Sequence, residues 1–454
     1  MELAERIAKY AVKLKYEDLG EHDVHAAKRV MIDTFGCAVN AAKEPPIAMA
    51  MKSIDYRDGK KASVSTILGT ERTTSPQLAA FINGGMARYL DYNDDYDAKE
   101  FSHPSDNIMP ILAVAEAEKK SGKEIILAVV LAYQIQCSLA DSAALWRNGW
   151  DHVNYGLVSV AAAASKLMGL GEKQTAEAIN IALSSSLSLR QVRAGRISMW
   201  KAFAFSNAAR NAVFAAGLAK NGVEGPSPVF EGEMGFFKEV SGKFSLSMPD
   251  HKFKINDTTF KFYPVEMRAQ SAVSCALDIR KKLHDASSIS SIESILIKTT
   301  EGGYKILGSD RMKWAPKNKE TADHSLPYVV ASALVDGTVT AESYSSGKLN
   351  DKNRLALMRK TKVVIAKEFT AKDVHIEANE VIVRMKDGTI LSSMCRHPKG
   401  HPMNPMSDLE IETKFFSLVK KHLKRDAAET VLEMLWSFQN IKRIDRLFSV
   451  LRFW

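Results

Sequence analysis

From Leu3 onward, apolar residues recur at intervals of three and four. Leu3, Ile7, Tyr10, Ala11 and Leu14 form the first such stripe, which is the 3.6-residue period of an amphipathic helix. The same period predicts a helix over 23–39. Ser75-Pro76 supplies a cap residue followed by a first-turn proline, so a helix opens there and runs through Leu90. Residues 111–120 read as a helix with Gly122 as its stop. Residues 125–145 are apolar almost all round, as in a central buried helix. The stretches 158–168 and 201–220 are rich in Ala and end at Gly169 and Gly222. Small side chains let helix axes approach, so tight antiparallel bundling is expected.

Near Gly225-Pro226-Ser227-Pro228 the pattern changes. Ile295, Ile297 and Thr299 take one face of a strand with period two. Residues 381–385 and 390–392 flank Asp387-Gly388, a strong hairpin signal, and 363–365 is a further candidate strand. Helical spacing returns after Pro405, over 408–422 and 426–438. This order predicts a mainly α fold: a large all-helical domain formed by residues 1–255 and 404–454, with a smaller α+β domain inserted over 256–403.

At 454 residues, 46% hydrophobic and 25% charged, the chain is long enough to bury a large core. Its net charge of +9 is spread along the chain, and no nucleic-acid reader motif accompanies it. The charge suits an anionic small substrate instead. Cys37, Cys137, Cys275 and Cys395 stand far apart with no Cys-x-x-Cys, which fits a reducing compartment. The first residues are charged where a signal peptide would be apolar, and no apolar run is read as reaching membrane-spanning length. A cytoplasmic protein with neither membrane nor nucleic acid as partner is expected.

The chemistry concentrates in residues 91–106, Asp-Tyr-Asn-Asp-Asp-Tyr-Asp-Ala-Lys-Glu-Phe-Ser-His-Pro-Ser-Asp. Carboxylates this dense repel one another and need a metal, a cationic substrate or proton transfer to explain them. Asp91, Asn93 and Asp95 open like a calcium loop, but Tyr96 and Ser102 stand where that loop needs Gly and Glu. Proton transfer at a small polycarboxylate, with His103 at its centre, is the expected reading. His103 either packs ahead of a helix capped by Ser105 or Asp106, or is held by a carboxylate as a general base. His152 precedes an Ala-rich helix. Lys201 opens the next one, where a cation opposes the helix dipole but can join the helix N-terminus in gripping a carboxylate. Arg193 and Arg196, just upstream, either add to that grip or are surface charges. Tyr328 either donates to a leaving oxygen or is a packed aromatic.

These residues resemble the MmgE/PrpD family. The resemblance lies in Leu90-Asp91-Tyr92-Asn93-Asp94 with His103-Pro104-Ser105-Asp106-Asn107, in Ser198-Met199-Trp200-Lys201, and in Lys261-Phe262-Tyr263-Pro264. It continues in Thr321-Ala322-Asp323-His324-Ser325-Leu326-Pro327-Tyr328 and in Gly400-His401-Pro402-Met403-Asn404-Pro405. It implies an all-helical domain with an α+β lid, a homodimer, and a lyase working without metal or cofactor. It places the active-site residues on Asp91, His103, His152, Lys201 and Tyr328. Arg193, Arg196, Lys201 and His324 are the expected holders of a small tricarboxylate. The reaction implied is dehydration of 2-methylcitrate or citrate to cis-2-methylaconitate or cis-aconitate, in propionate catabolism. Family decarboxylases tend to have Gly where this chain has Asp106 and Thr where it has Asp95, which favours dehydration here. The alternatives are a cis-aconitate decarboxylase, an iminodisuccinate-type epimerase, or a helical scaffold that only binds a partner.

Overall fold

A computed structural model describes residues 1–54, 64–249, 251–283, 287–369 and 377–454. The fold is mainly α. Its contacts divide the chain into two compact units. Unit 1 comprises Met1–Val192, Met199–Thr258 and Ser407–Trp454; unit 2 comprises Arg193–Ser198 and Thr259–Met406.

Unit 1 is a helical assembly around Gly122–Ser142, Asn154–Leu167 and Ala204–Lys220. Almost every side chain of Gly122–Ser142 up to Ala140 is buried. This helix is long and apolar enough to cross a membrane, which corrects the expectation that no apolar run reaches that length; 89% of its apolar window is buried inside the protein. Its start also differs from expectation. Gly122 does not stop the preceding helix. That helix, Ile108–Ala117, ends where Lys119 takes a positive φ of 55°. Ser121 then caps the next one, accepting from the Glu124 amide and completing a capping box. Gly122 is required for closeness: its amide donates to the Ile441 carbonyl at 2.7 Å, and a Cβ there would lie 1.8 Å from the Phe438 carbonyl oxygen.

The C-terminal segment completes unit 1. Lys414, on helix Asp408–Val419, reaches the buried carboxylate of Asp33 at 2.6 Å and the Tyr92 carbonyl at 2.8 Å. The Asn40 amide donates to the Leu418 carbonyl at 2.8 Å. The last residues are docked, since the Phe453 and Trp454 amides both donate to the Gly69 carbonyl, at 2.9 and 3.1 Å.

Unit 2 holds a four-stranded sheet in the order Thr361–Ile365, Ile292–Thr299, Asn379–Met385, Ile390–Cys395; the first pair is parallel and the others antiparallel. Ile295, Ile297 and Thr299 are buried as their alternation predicts. The Asp387-Gly388 turn closes the expected hairpin, with Gly388 at φ 90° and the Met385 amide on the Thr389 carbonyl. Helices Gln270–Lys282 and Leu326–Asp336 pack on the sheet through Val273, Ile279, Val330 and Leu334. The stretch 193–198 belongs here: the Asn318 amide donates to the Ile197 carbonyl at 3.0 Å.

Candidate active site

Helix Pro76–Tyr89 ends just before the acidic segment, and Asp91 follows in a left-handed conformation with φ 54°. For a residue other than Gly this is uncommon and costs free energy, although Asp is among the residues that adopt it more readily. The turn folds the carboxylate back onto the end of its own helix. The loop beyond is closed by Tyr96 and Ser102, whose backbones exchange hydrogen bonds of 2.8 and 3.2 Å. His103 emerges from that neck and leads into the short turn Pro104–Asn107.

Neither Ser105 nor Asp106 caps the helix that follows. Both face inward, where the Asn93 amide donates to Ser105 Oγ at 2.9 Å and to Asp106 Oδ1 at 2.8 Å. Asp94 stands behind the loop, accepting from the Ser105 amide at 2.9 Å and the Tyr133 hydroxyl at 2.7 Å. Burial pushes its carboxyl up to about 6, although those hydrogen bonds pull the other way.

At the centre lies Arg88, in the last turn of helix Pro76–Tyr89 and almost wholly buried. Its guanidinium pairs with Asp91, donates to Asn93 Oδ1 at 3.2 Å, meets His103 Nε2 at 2.7 Å, and lies 3.6 Å from Asp106. Burial works against its charge, but the carboxylates of Asp91, Asp106 and Asp95 outweigh that and hold it protonated more firmly than usual. Sequence reasoning missed Arg88. A basic residue in a last helical turn reads as a dipole complement, and only the returning loop shows it to be enclosed.

Lys201 lies in the turn Met199–Ala202, ahead of helix Ala204–Lys220 rather than at its first turn. It is 5% exposed, and its ammonium sits 3.1 Å from the second oxygen of Asp91. One buried carboxylate thus serves two buried cations. His103 and His152 meet edge-on, with ring centroids 5.4 Å apart. Behind His152 stands Asp151, fully buried, its carboxylate 3.3 Å from Nδ1. Arg190 is 3.6 Å from the other Asp151 oxygen and 3.8 Å from Glu100. Asp91 and His103 from the acidic segment, His152 and Lys201, from three separate stretches, therefore converge in unit 1.

The other expected residues lie in unit 2. His324 Nδ1 is 2.6 Å from the buried carboxylate of Asp323, whose second oxygen takes the Lys319 ammonium at 2.9 Å. Tyr328, in helix Leu326–Asp336, donates its hydroxyl proton to the Ser343 carbonyl at 2.6 Å. It is fully buried, with the Arg354 guanidinium over its ring, and burial holds its proton more tightly than usual. Arg193 is partly buried and Arg196 exposed.

The chain is mainly helical and brings two buried imidazoles and a buried ammonium paired with a carboxylate together in one unit. Residues 5–249 match the MmgE/PrpD N-terminal domain and residues 263–440 the MmgE/PrpD C-terminal domain, and the chain belongs to the MmgE/PrpD family. It is 29% identical over 443 residues to the mitochondrial 2-methylcitrate dehydratase of Yarrowia lipolytica, covering 92% of this chain and 83% of that one. It is 29% identical over 411 residues to the 2-methylcitrate dehydratase of Escherichia coli K12, covering 86% and 84%. It is 28% identical over 417 residues to the alkylcitrate dehydratase phiI of a fungal species, covering 86% and 82%.

Proposed function

We propose that this protein is a hydro-lyase that dehydrates a citrate-type tricarboxylate, with 2-methylcitrate or a close 2-alkyl homologue as substrate. The observation that carries the reading is the pairing of a carboxylate-backed imidazole, His152 on Asp151, with a buried ammonium, Lys201, in one unit of the fold. A proton next to a carboxylate is a weak acid. Its removal needs a base with a fixed tautomer and a cation where charge develops.

In the proposed sequence, His152 Nε2 takes the proton from the carbon beside a substrate carboxylate. Lys201 holds that carboxylate while it carries the developing enediolate charge. The carbon–carbon double bond then forms as the neighbouring C–O bond breaks, and the hydroxyl leaves as water with a proton from the Lys201 ammonium. The His152 proton returns to Lys201 to restore both groups. No step of this sequence is assigned to Tyr328, whose hydroxyl donates to the Ser343 carbonyl. The names of the relatives, which speak of 2-methylcitrate and alkylcitrate, support the substrate class. So do Asp95 and Asp106, where decarboxylases of the family tend to differ.

The test is a panel of 2-methylcitrate, citrate, cis-aconitate and iminodisuccinate given to the purified full chain. A dehydratase raises conjugated-alkene absorbance from the first or second. Release of CO₂ from cis-aconitate, or inversion of iminodisuccinate, with no alkene from either citrate, refutes the proposal. Lys201→Met and His152→Gln are each expected to lower turnover by about 10²–10⁴-fold.

A further inference from the structure

We infer that Arg88 is a positioning residue that locks His103 in the neutral Nδ1–H form and withholds it from proton transfer. The argument is one of donors and acceptors. His103 Nδ1 lies 2.9 Å from the Asp94 carbonyl oxygen. A carbonyl can only accept, so Nδ1 carries the hydrogen. His103 Nε2 lies 2.7 Å from a terminal nitrogen of Arg88. A guanidinium can only donate, so Nε2 offers its lone pair. Both ring nitrogens are then spent on fixed partners. A proton added at Nε2 would confront an N–H of a cation across 2.7 Å.

The groups around the ring leave this balance in place. Asp95 Oδ2 is 3.6 Å from Nδ1, the nitrogen that already holds its hydrogen, so the carboxylate has a partner without a second proton. His152 presents its ring at 5.4 Å. Lys201 is turned to Asp91 at 3.1 Å. Nor can Arg88 readily turn aside, because Asp91 and Asn93 hold its other terminal nitrogen and the Asp106 carboxylate lies 3.6 Å from Nε. His103 itself is 7% exposed, so little water reaches it.

His152 has different surroundings: its Nδ1 has the Asp151 carboxylate at 3.3 Å, whereas His103 Nδ1 is nearest a neutral carbonyl at 2.9 Å, with Asp95 further off at 3.6 Å, and its Nε2 faces the Arg88 cation. Two neighbouring imidazoles whose surroundings push them apart take different roles. Resting on the dehydratase reading, this makes His152 the imidazole that moves protons and His103 the one that holds the wall of the site.

The first test needs no substrate, so its outcome is separate from that of the dehydratase assignment. Full-length protein labelled with ¹⁵N-histidine is followed through its imidazole nitrogen shifts, with His103 assigned from the signals lost in His103→Gln. In the wild type, His103 should show a protonated Nδ1 and a bare Nε2, unchanged between about pH 5.5 and 8.5, the range where an ordinary histidine titrates. In Arg88→Gln, which keeps an N–H but loses the charge, or in Arg88→Met, it should titrate within that range. A wild-type His103 that titrates or carries its proton on Nε2 overturns the inference, as does a His103 that stays frozen in both variants. If neither variant folds, the wild-type spectrum still decides the tautomer, and a kinetic arm decides the role. His103→Gln should lower kcat yet keep the acid limb of the kcat/KM profile, whereas His152→Gln should abolish that limb. Loss of the limb in His103→Gln alone also overturns it.

Discussion

Replacing Asp91 by Asn isolates the electrostatic centre of unit 1. Asn has nearly the same shape and tolerates a positive φ, so the turn at φ 54° survives and only the charge is lost. In the wild type that charge faces the Lys201 ammonium at 3.1 Å and the Arg88 guanidinium, all three groups being at least 95% buried. At an effective dielectric of about 20, the Lys201 contact alone is worth about 5 kcal/mol in Coulomb terms. Arg88 keeps Asp106 at 3.6 Å, whereas Lys201 loses the carboxylate charge at 3.1 Å. Removing one partner of a buried pair costs about 3–5 kcal/mol. For a unit of this size, that is a fall of about 5–10 °C in the melting transition. Differential scanning calorimetry at neutral pH measures it. The double variant Asp91→Asn with Lys201→Met should recover at least half of the loss, because the buried ammonium that Asp91 faced is gone. A shift of under about 2 °C in the single variant, or no recovery in the double, would refute the idea that one carboxylate neutralises two enclosed cations.

Two further outcomes follow from other parts of the fold. Asp94 has its carboxyl raised to about 6 by burial, above the unfolded value of about 4. Between those values the folded state holds a proton that the unfolded chain has released, so Asp94 lowers stability as pH rises through that window. Asp94→Asn removes the slope, and its melting temperature relative to wild type should be higher at pH 7 than at about pH 4.5, measured by calorimetry at both; equal differences at the two values contradict the assignment. Gly122→Ala should cost about 1–3 kcal/mol because its Cβ meets the Phe438 carbonyl oxygen. Gly217→Ala, in an open part of helix Ala204–Lys220, should instead gain about 0.5–1 kcal/mol. Thermal melts of the pair read the contrast directly.

Much of this was legible in the residues themselves. Apolar spacing marked the helices, Asp387-Gly388 marked the hairpin, and the density of carboxylates drew attention to Asp91 and His103. What stayed hidden depends on contacts between distant stretches. Arg88 looks like any charge at a helix end until Asp91, Asn93, His103 and Asp106 close around it. Asp151 looks like a loop residue until its burial behind His152 is seen. Ser105 and Asp106 have the chemistry of caps, and local chemistry cannot say that Asn93 claims them first. Gly122 has the chemistry of a stop, but its small size serves the approach of Phe438 and Ile441. For Tyr328 the residue type was informative and the hydrogen-bond partner, Ser343, was not.

The three-part make-up of unit 1 has a consequence during synthesis. Asp33 leaves the ribosome early and waits for Lys414, the cation that neutralises it. At about 5–20 residues per second, that wait is on the order of 20–80 s. Through it the first half of the chain carries apolar helix faces that the C-terminal segment has yet to cover. Nascent chains of this protein should therefore depend on holding chaperones until the final stretch arrives, and premature termination anywhere before Ser407 should leave a product destined for degradation.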